Sequence, residues 1–163
     1  MKNGRCSDRC SNLQNDYFEN GITNGAQWYP LAGGMQDWNY LQADCFEITV
    51  EMGCRKYPQA NELQKYYTEN LNSIIAFVNS VHIGVKGFVR DSNNLPIQDA
   101  IISVDGIDKN VTSKHLGDYW RLLAPIYGRY RITASKNGYQ SQTRSVRVSG
   151  NSATQVDFKL KAD

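Results

Sequence analysis

No apolar run in this chain approaches the roughly 20 residues a membrane-spanning helix needs. No secretory signal opens it, because Met1-Lys2-Asn3-Gly4-Arg5-Cys6 leads into polar residues. Either the protein is cytosolic or this N-terminus is not its natural beginning, and the second reading is preferred. Low-complexity tracts are missing, and a hydrophobic fraction of 40% with 11% aromatics describes a globular chain. Histidine is scarce. His82 and His115 are the only two, and neither belongs to a His-x-x-Glu or His-Glu-x-x-His pair, so no close-spaced metal motif exists. A Gly-rich phosphate cradle is also absent, since Gly33-Gly34 leads into aromatic residues. Cys-His nucleophilic catalysis finds no supporting pattern.

Cysteine stops at Cys54. The four are Cys6, Cys10, Cys45 and Cys54, which allow three pairings. Cys45 and Cys54 flank a strand pattern, and nine extended residues would part them by roughly 30 Å, so they should not pair with each other. Bridges back to Cys6 and Cys10 are one resolution, and they imply an oxidising compartment. A zinc site competes, although Cys-x-x-x-Cys lacks a second close pair.

What is present divides at about residue 82. Residues 1–82 hold 6 Lys and Arg against 9 Asp and Glu, a net −3; residues 83–163 hold 12 against 7, a net +5. The basic residues of the second part are spread along alternating strands, which describes a solvated sheet face and no nucleic-acid footprint. Residues 1–23 read as loop, with at most a short turn near Asp16–Glu19. Residues 24–40 read as an ordered loop, because Trp28, Tyr29, Trp38 and Tyr40 are costly to leave together in water. Cys45–Met52 alternates Phe46, Ile48, Val50 and Met52 against Glu47, Thr49 and Glu51, the pattern of a strand. Its β-formers suggest burial on both faces, with Glu51 at the carboxyl end where open α/β sheets place ligands. Pro58 to about Val81 has helical spacing, with Asn61 as a possible cap and an apolar stripe expected to cover that sheet. Beyond Gly84, the runs Val85–Arg90, Ala100–Val104, Asp118–Leu123, Tyr130–Ser135, Ser145–Val148 and Gln155–Leu160, punctuated by Asn93-Asn94, Asp105-Gly106, Leu116-Gly117, Asn137-Gly138 and Gly150-Asn151, predict a small antiparallel sandwich.

Few side chains carry chemistry. Glu51 is a candidate general base, and Tyr29 a hydroxyl donor or lid. Asn110-Val111-Thr112 is a glycosylation acceptor if the chain is secreted.

The residues are more specific than their spacing. Asn24-Gly25-Ala26-Gln27-Trp28-Tyr29, Gly33-Gly34-Met35-Gln36-Asp37-Trp38-Asn39-Tyr40-Leu41 and Cys45-Phe46-Glu47-Ile48-Thr49-Val50-Glu51-Met52-Gly53-Cys54 resemble the carboxypeptidase N/E branch of the zinc metallocarboxypeptidases. Val81–Val89 and Gly117-Asp118-Tyr119-Trp120-Arg121-Leu122-Leu123 resemble the transthyretin-like sandwich that follows the catalytic domain there. The resemblance implies an α/β fold over residues 1–82, the C-terminal part of a mixed-sheet carboxypeptidase domain. A small all-β transthyretin-like sandwich then follows over 83–163.

By the same resemblance, Glu51 matches the catalytic glutamate, which activates a zinc-bound water and passes its proton to the leaving amine. Tyr29 matches the mobile tyrosine that closes over the substrate's C-terminus. Gln36 and Thr49 fall where the pocket for the C-terminal side chain is shaped. The intact enzyme would use zinc to remove Lys or Arg from peptide and protein C-termini, in the secretory pathway or outside the cell, with or without a membrane anchor. It would have no nucleic-acid partner. The family's zinc ligands lie upstream of the matched segment, so this chain is expected to hold no zinc and to be inactive alone. The alternative is a non-enzymatic secreted binding module built on the sandwich.

Overall fold

The computed structural model describes residues 18–53, 55–150 and 152–163. The chain divides into two units, one of residues 1–36 and 47–79, the other of residues 37–46 and 80–163. Helices dominate the first part and strands the second.

In the first unit, the segment expected to be loop carries helical turns. Asn24 lies in extended conformation, and its Oδ1 accepts from the N–H groups of Ala26 (3.0 Å) and Gln27 (3.4 Å). It is therefore the N-cap of the short helix α1 (Gly25–Trp28). Gly33 then takes a positive φ of 80°, and the chain enters α2 (Met35–Ala43). The long helix α3 (Leu63–Asn79) follows a 3-10 turn at Ala60–Glu62 and ends in another at Ser80–His82. Asn61 lies inside the first turn and does not cap it. Glu62 does the capping, its carboxylate accepting from the Gln59 N–H at 2.9 Å and from Arg55 at 2.6 Å.

Two expectations fail here for one physical reason. Asp44–Gly53 has no regular secondary structure, although its residues alternate as a strand. The apolar stripe of α3 is also uncovered, with Leu63, Tyr67, Ile74, Ile75 and Val78 exposed. A central strand needs a ladder on each side and a helix stripe needs a sheet beneath it; the described residues of this unit supply neither. Asn70 is the one buried residue of α3, its amide bonded to the Tyr66 carbonyl at 2.8 Å.

The second unit is a β-sandwich. One sheet joins β4 (Asp118–Arg121), β1 (Val85–Arg90) and the short C-terminal strands β7 (Thr154–Gln155) and β8 (Phe158–Lys159), the last two parallel to β1. The other runs β3 (Ile107–Thr112), β2 (Ile101–Val104), β5 (Arg129–Lys136), β6 (Tyr139–Arg147) and β9 (Lys161–Ala162). Strand β1 alternates buried Val85, Gly87 and Val89 with exposed Lys86 and Phe88. Between the sheets lie Ile102, Ile132, Phe158 and Leu160, essentially without exposed surface. Among the described residues, all the buried apolar side chains belong to this unit. Gly87 permits the closest approach: a Cβ there would stand 2.1 Å from the Val156 carbonyl oxygen. Beside it, Asp157 takes the Phe88 N–H at 2.9 Å in place of a ladder bond.

Candidate functional site

The nominated residues fall on α1, α2 and the segment after α2. Tyr29 is the C-terminal cap of α1, where its own N–H donates to the Gly25 carbonyl at 2.9 Å. Its ring meets Trp28 edge-on at 4.8 Å, and the side chain is half exposed. Gln36, in the first turn of α2, donates from Nε2 to Thr49 Oγ1 at 2.6 Å. Those two residues, thirteen apart in sequence, are thus held together. Glu51 is exposed and makes no hydrogen bond or ion pair with the described residues. Just past it, Gly53 leaves room for the Tyr66 ring, whose nearest carbon would lie 2.4 Å from a Cβ at that position. The pair Gln36–Thr49 is brought together by this bond, whereas no hydrogen bond joins Tyr29 to Glu51.

Asn110 is exposed on edge strand β3. Of the four cysteines only Cys45 is described; it is exposed and its thiol is free, and the pairing of Cys6, Cys10 and Cys54 lies outside the described residues. Among the described residues, no group of three or more His, Cys, Asp and Glu side chains is gathered to hold a metal ion. His82 sits in the turn after α3, and His115 on the loop between β3 and β4. No described helix is long and apolar enough to cross a membrane.

One cluster escaped the sequence reading, and it lies in the second unit. Arg121 has no exposed surface, yet it occupies the inward side of β4 beside Tyr119. Its Nη1 donates to Asp44 Oδ1 at 3.0 Å, to the Tyr40 hydroxyl at 3.1 Å and to the Leu122 carbonyl at 3.0 Å. Nη2 donates to the Lys109 carbonyl at 3.3 Å, and Nε is left without a partner. Asp44 in turn accepts from the Leu122 N–H at 3.4 Å. Desolvating a guanidinium is costly, and only such matched charge and hydrogen bonding offsets it. The signal in the sequence was a cation at an inward register position, between Tyr119 and Leu123. Nearby, a cavity of about 820 Å³ opens over Lys86, Lys109, Lys114, Asp118 and Trp120; Asn110 is the only nominated residue that lines it.

Comparison with known proteins accounts for both parts. Residues 3–73 match the family model described as zinc carboxypeptidase, and residues 84–161 match that of the carboxypeptidase regulatory-like domain. Carboxypeptidase D from Mus musculus is 54% identical over 147 residues, 90% of this chain and 10% of that protein. The carboxypeptidase N catalytic chain from Rattus norvegicus is 50% identical over 146 residues, 90% of this chain and 32% of that protein. Carboxypeptidase D from Drosophila melanogaster is 43% identical over 139 residues, 85% of this chain and 10% of that protein. The chain thus spans about a tenth of the carboxypeptidase D relatives and about a third of the carboxypeptidase N catalytic chain.

Proposed function

Because the chain belongs to the zinc carboxypeptidases, with a regulatory-like domain behind the catalytic segment, we propose that it supplies the C-terminal part of a catalytic domain and the sandwich that follows it. The intact enzyme removes C-terminal Lys or Arg from peptides and proteins in the secretory pathway or outside the cell. Its domains divide near residue 82, and Asn110 carries a glycan. Zinc would supply Lewis-acid chemistry there, held by residues upstream of this segment. The chain's own part is narrower. Glu51 takes a proton from the attacking water and returns it to the leaving amine. Tyr29 closes over the substrate's C-terminus. Gln36 and Thr49 form one wall of the pocket for the last side chain. The observation that carries this reading is the match of residues 3–73, which contain all four residues, to the zinc carboxypeptidase model.

The test compares the chain alone with a chimera in which it replaces the matching segment of the Rattus norvegicus carboxypeptidase N catalytic chain. The chain alone is expected to bind no zinc by metal analysis and to leave peptides ending in Lys or Arg intact. The chimera should cleave them, and Glu51→Gln should lower its kcat by about a hundred- to ten-thousand-fold. One tightly held zinc and cleavage by the chain alone would overturn the claim of incompleteness.

A second reading rests on the confinement of the described buried apolar core to the sandwich unit. A non-enzymatic secreted binding module would need no more than that. An inactive chimera that folds and binds zinc would favour it.

A further inference from the structure

The basic residues of the sandwich are scattered in sequence, and the register of one hairpin gathers three of them. Strands β5 and β6 pair antiparallel, with Arg129 opposite Arg147 and Arg131 opposite Ser145. The alternate residues Tyr130, Ile132 and Val146 are buried. Arg129, Arg131 and Arg147 therefore stand exposed on the outer face of the sheet. Opposed side chains start about 4.5–5.5 Å apart and diagonal ones about 7–8 Å, so the three guanidiniums share one patch. Like charges set directly opposite one another destabilise a sheet, and at exposed positions packing does not call for them. Answering charge is sparse. Arg131 Nε meets Asp105 Oδ2 at 3.0 Å, in a pair whose side chains are 68% and 61% exposed. The terminal nitrogens of Arg131, and the whole guanidiniums of Arg129 and Arg147, have no hydrogen bond or ion pair with the described residues.

We propose that this patch binds a sulfated polysaccharide. An oxyanion placed between Arg129 and Arg147 removes their repulsion, and the planar fork of each guanidinium takes two of its oxygens. One anion satisfies one pair. The third arginine, one step further along the same face of β5, suits negative charges that repeat along a chain. The neighbours on that face are Ser145, Thr133 and Thr143, the two threonine hydroxyls 2.8 Å apart. Their hydroxyls can hydrogen-bond sugar and sulfate oxygens. They offer no aromatic face on which a base could stack and no apolar side chain to enter a bilayer. Sulfated polysaccharides also belong to the compartment proposed for the intact enzyme. The patch itself lies wholly on the sandwich and needs neither Glu51 nor zinc, so it holds whether the chain serves an enzyme or a binding module.

The experiment titrates the full chain with a heparin dodecasaccharide and follows binding by calorimetry. The native protein should bind at about 0.15 M salt, and more weakly as salt rises, because exposed charges are screened. Arg129→Ser combined with Arg147→Ser should weaken binding by at least about tenfold, since each lost arginine removes charged hydrogen bonds. Lys86→Ser combined with Lys114→Ser removes the same charge from other exposed positions of the sandwich and should leave the affinity nearly unchanged. Arg129→Lys combined with Arg147→Lys keeps the charge without the fork, and a loss of about threefold is expected. The arginine-to-serine protein should also unfold at the same urea concentration as native or a higher one, because the repulsion is gone. A lower midpoint would overturn the reading of an arginine pair held against its own repulsion. No binding by the native chain would overturn the proposal, as would equal losses in the two serine proteins or equal affinity for the desulfated dodecasaccharide. Tighter binding of oligothymidylate or of phosphatidylserine vesicles would also overturn it, assigning the patch to nucleic acid or to a membrane instead.

Discussion

Tyr119 shows how tightly single residues are constrained in the sandwich. Its hydroxyl donates to the Val156 carbonyl at 2.5 Å, and its ring, almost wholly buried, tilts against Phe158 at 6.1 Å. Burial first, and the nearby Asp157 charge second, push its ionisation well above the ordinary tyrosine value, against a smaller opposing pull from Arg144. A phenol with a higher pKa folded than unfolded holds its proton more tightly in the native state. Its stabilising contribution is complete below the unfolded value of about 10 and is lost as pH rises beyond it. Urea unfolding should therefore show stability falling above about pH 10. Tyr119→Phe should flatten that fall and cost about 1–3 kcal/mol at neutral pH, because the Val156 carbonyl loses its donor. Gly87 is constrained differently. An added methyl meets backbone, which cannot swing aside, so Gly87→Ala should cost at least about 1–3 kcal/mol. By contrast, Gly25→Ala, with nothing within 4 Å, should be close to neutral in the same unfolding assay.

Among elements, the sandwich strands were readable because alternation and Gly or Asn turns survive without their neighbours. Val85–Arg90 falls where the pattern placed it, and the strand expected at Ala100–Val104 begins one residue later, at Ile101. Strand β3 was missed, since Asp108, Lys109 and Asn110 interrupt its alternation; charges on an edge strand serve to block further pairing. Strand β6 begins at Tyr139, well before the apolar signal at Val146, because its first half is polar and exposed. The Cys45–Met52 pattern is a genuine strand signal that finds no ladder partner among the described residues. The stripe on α3 is likewise a genuine burial signal that the described residues leave exposed. Arg121 was illegible for the opposite reason: its partners Tyr40 and Asp44 lie about eighty residues away. The uncovered stripe and the packed sandwich make a contrast that can be measured. Replacing exposed Ile75 or Val78 of α3 by Ser should change the chain's stability by no more than about 0.5 kcal/mol. Phe158→Ala, in the sandwich core, should cost about 3–5 kcal/mol. A comparable loss from the α3 substitutions would mean that the stripe is covered in solution.

At the scale of the whole molecule, the compact unit does not follow the sequence: residues 37–46 belong with residues 80–163. Cutting the chain between residues 82 and 83 would keep every strand but strip Arg121 of Asp44 and Tyr40. The guanidinium would retain only the Leu122 and Lys109 carbonyls as acceptors, with no negative charge beside it. Removing one partner of a buried ion pair typically costs about 3–5 kcal/mol, because the other charge is left unmatched. For an isolated domain of roughly eighty residues, where one core is barely sufficient, that is a large share of the total. Residues 83–163 alone should therefore unfold at distinctly lower urea than the full chain. The size of a single substitution's effect then separates this cause from simple loss of area. In the full chain, Arg121→Met should destabilise, because it leaves Asp44 without its cation. In residues 83–163 it should have little effect, because the cut that removes Asp44 and Tyr40 also opens the guanidinium to water. Denaturant unfolding of the four proteins measures both effects. Equal effects in the two backgrounds would show that the Asp44 pair does not hold residues 37–46 to the sandwich.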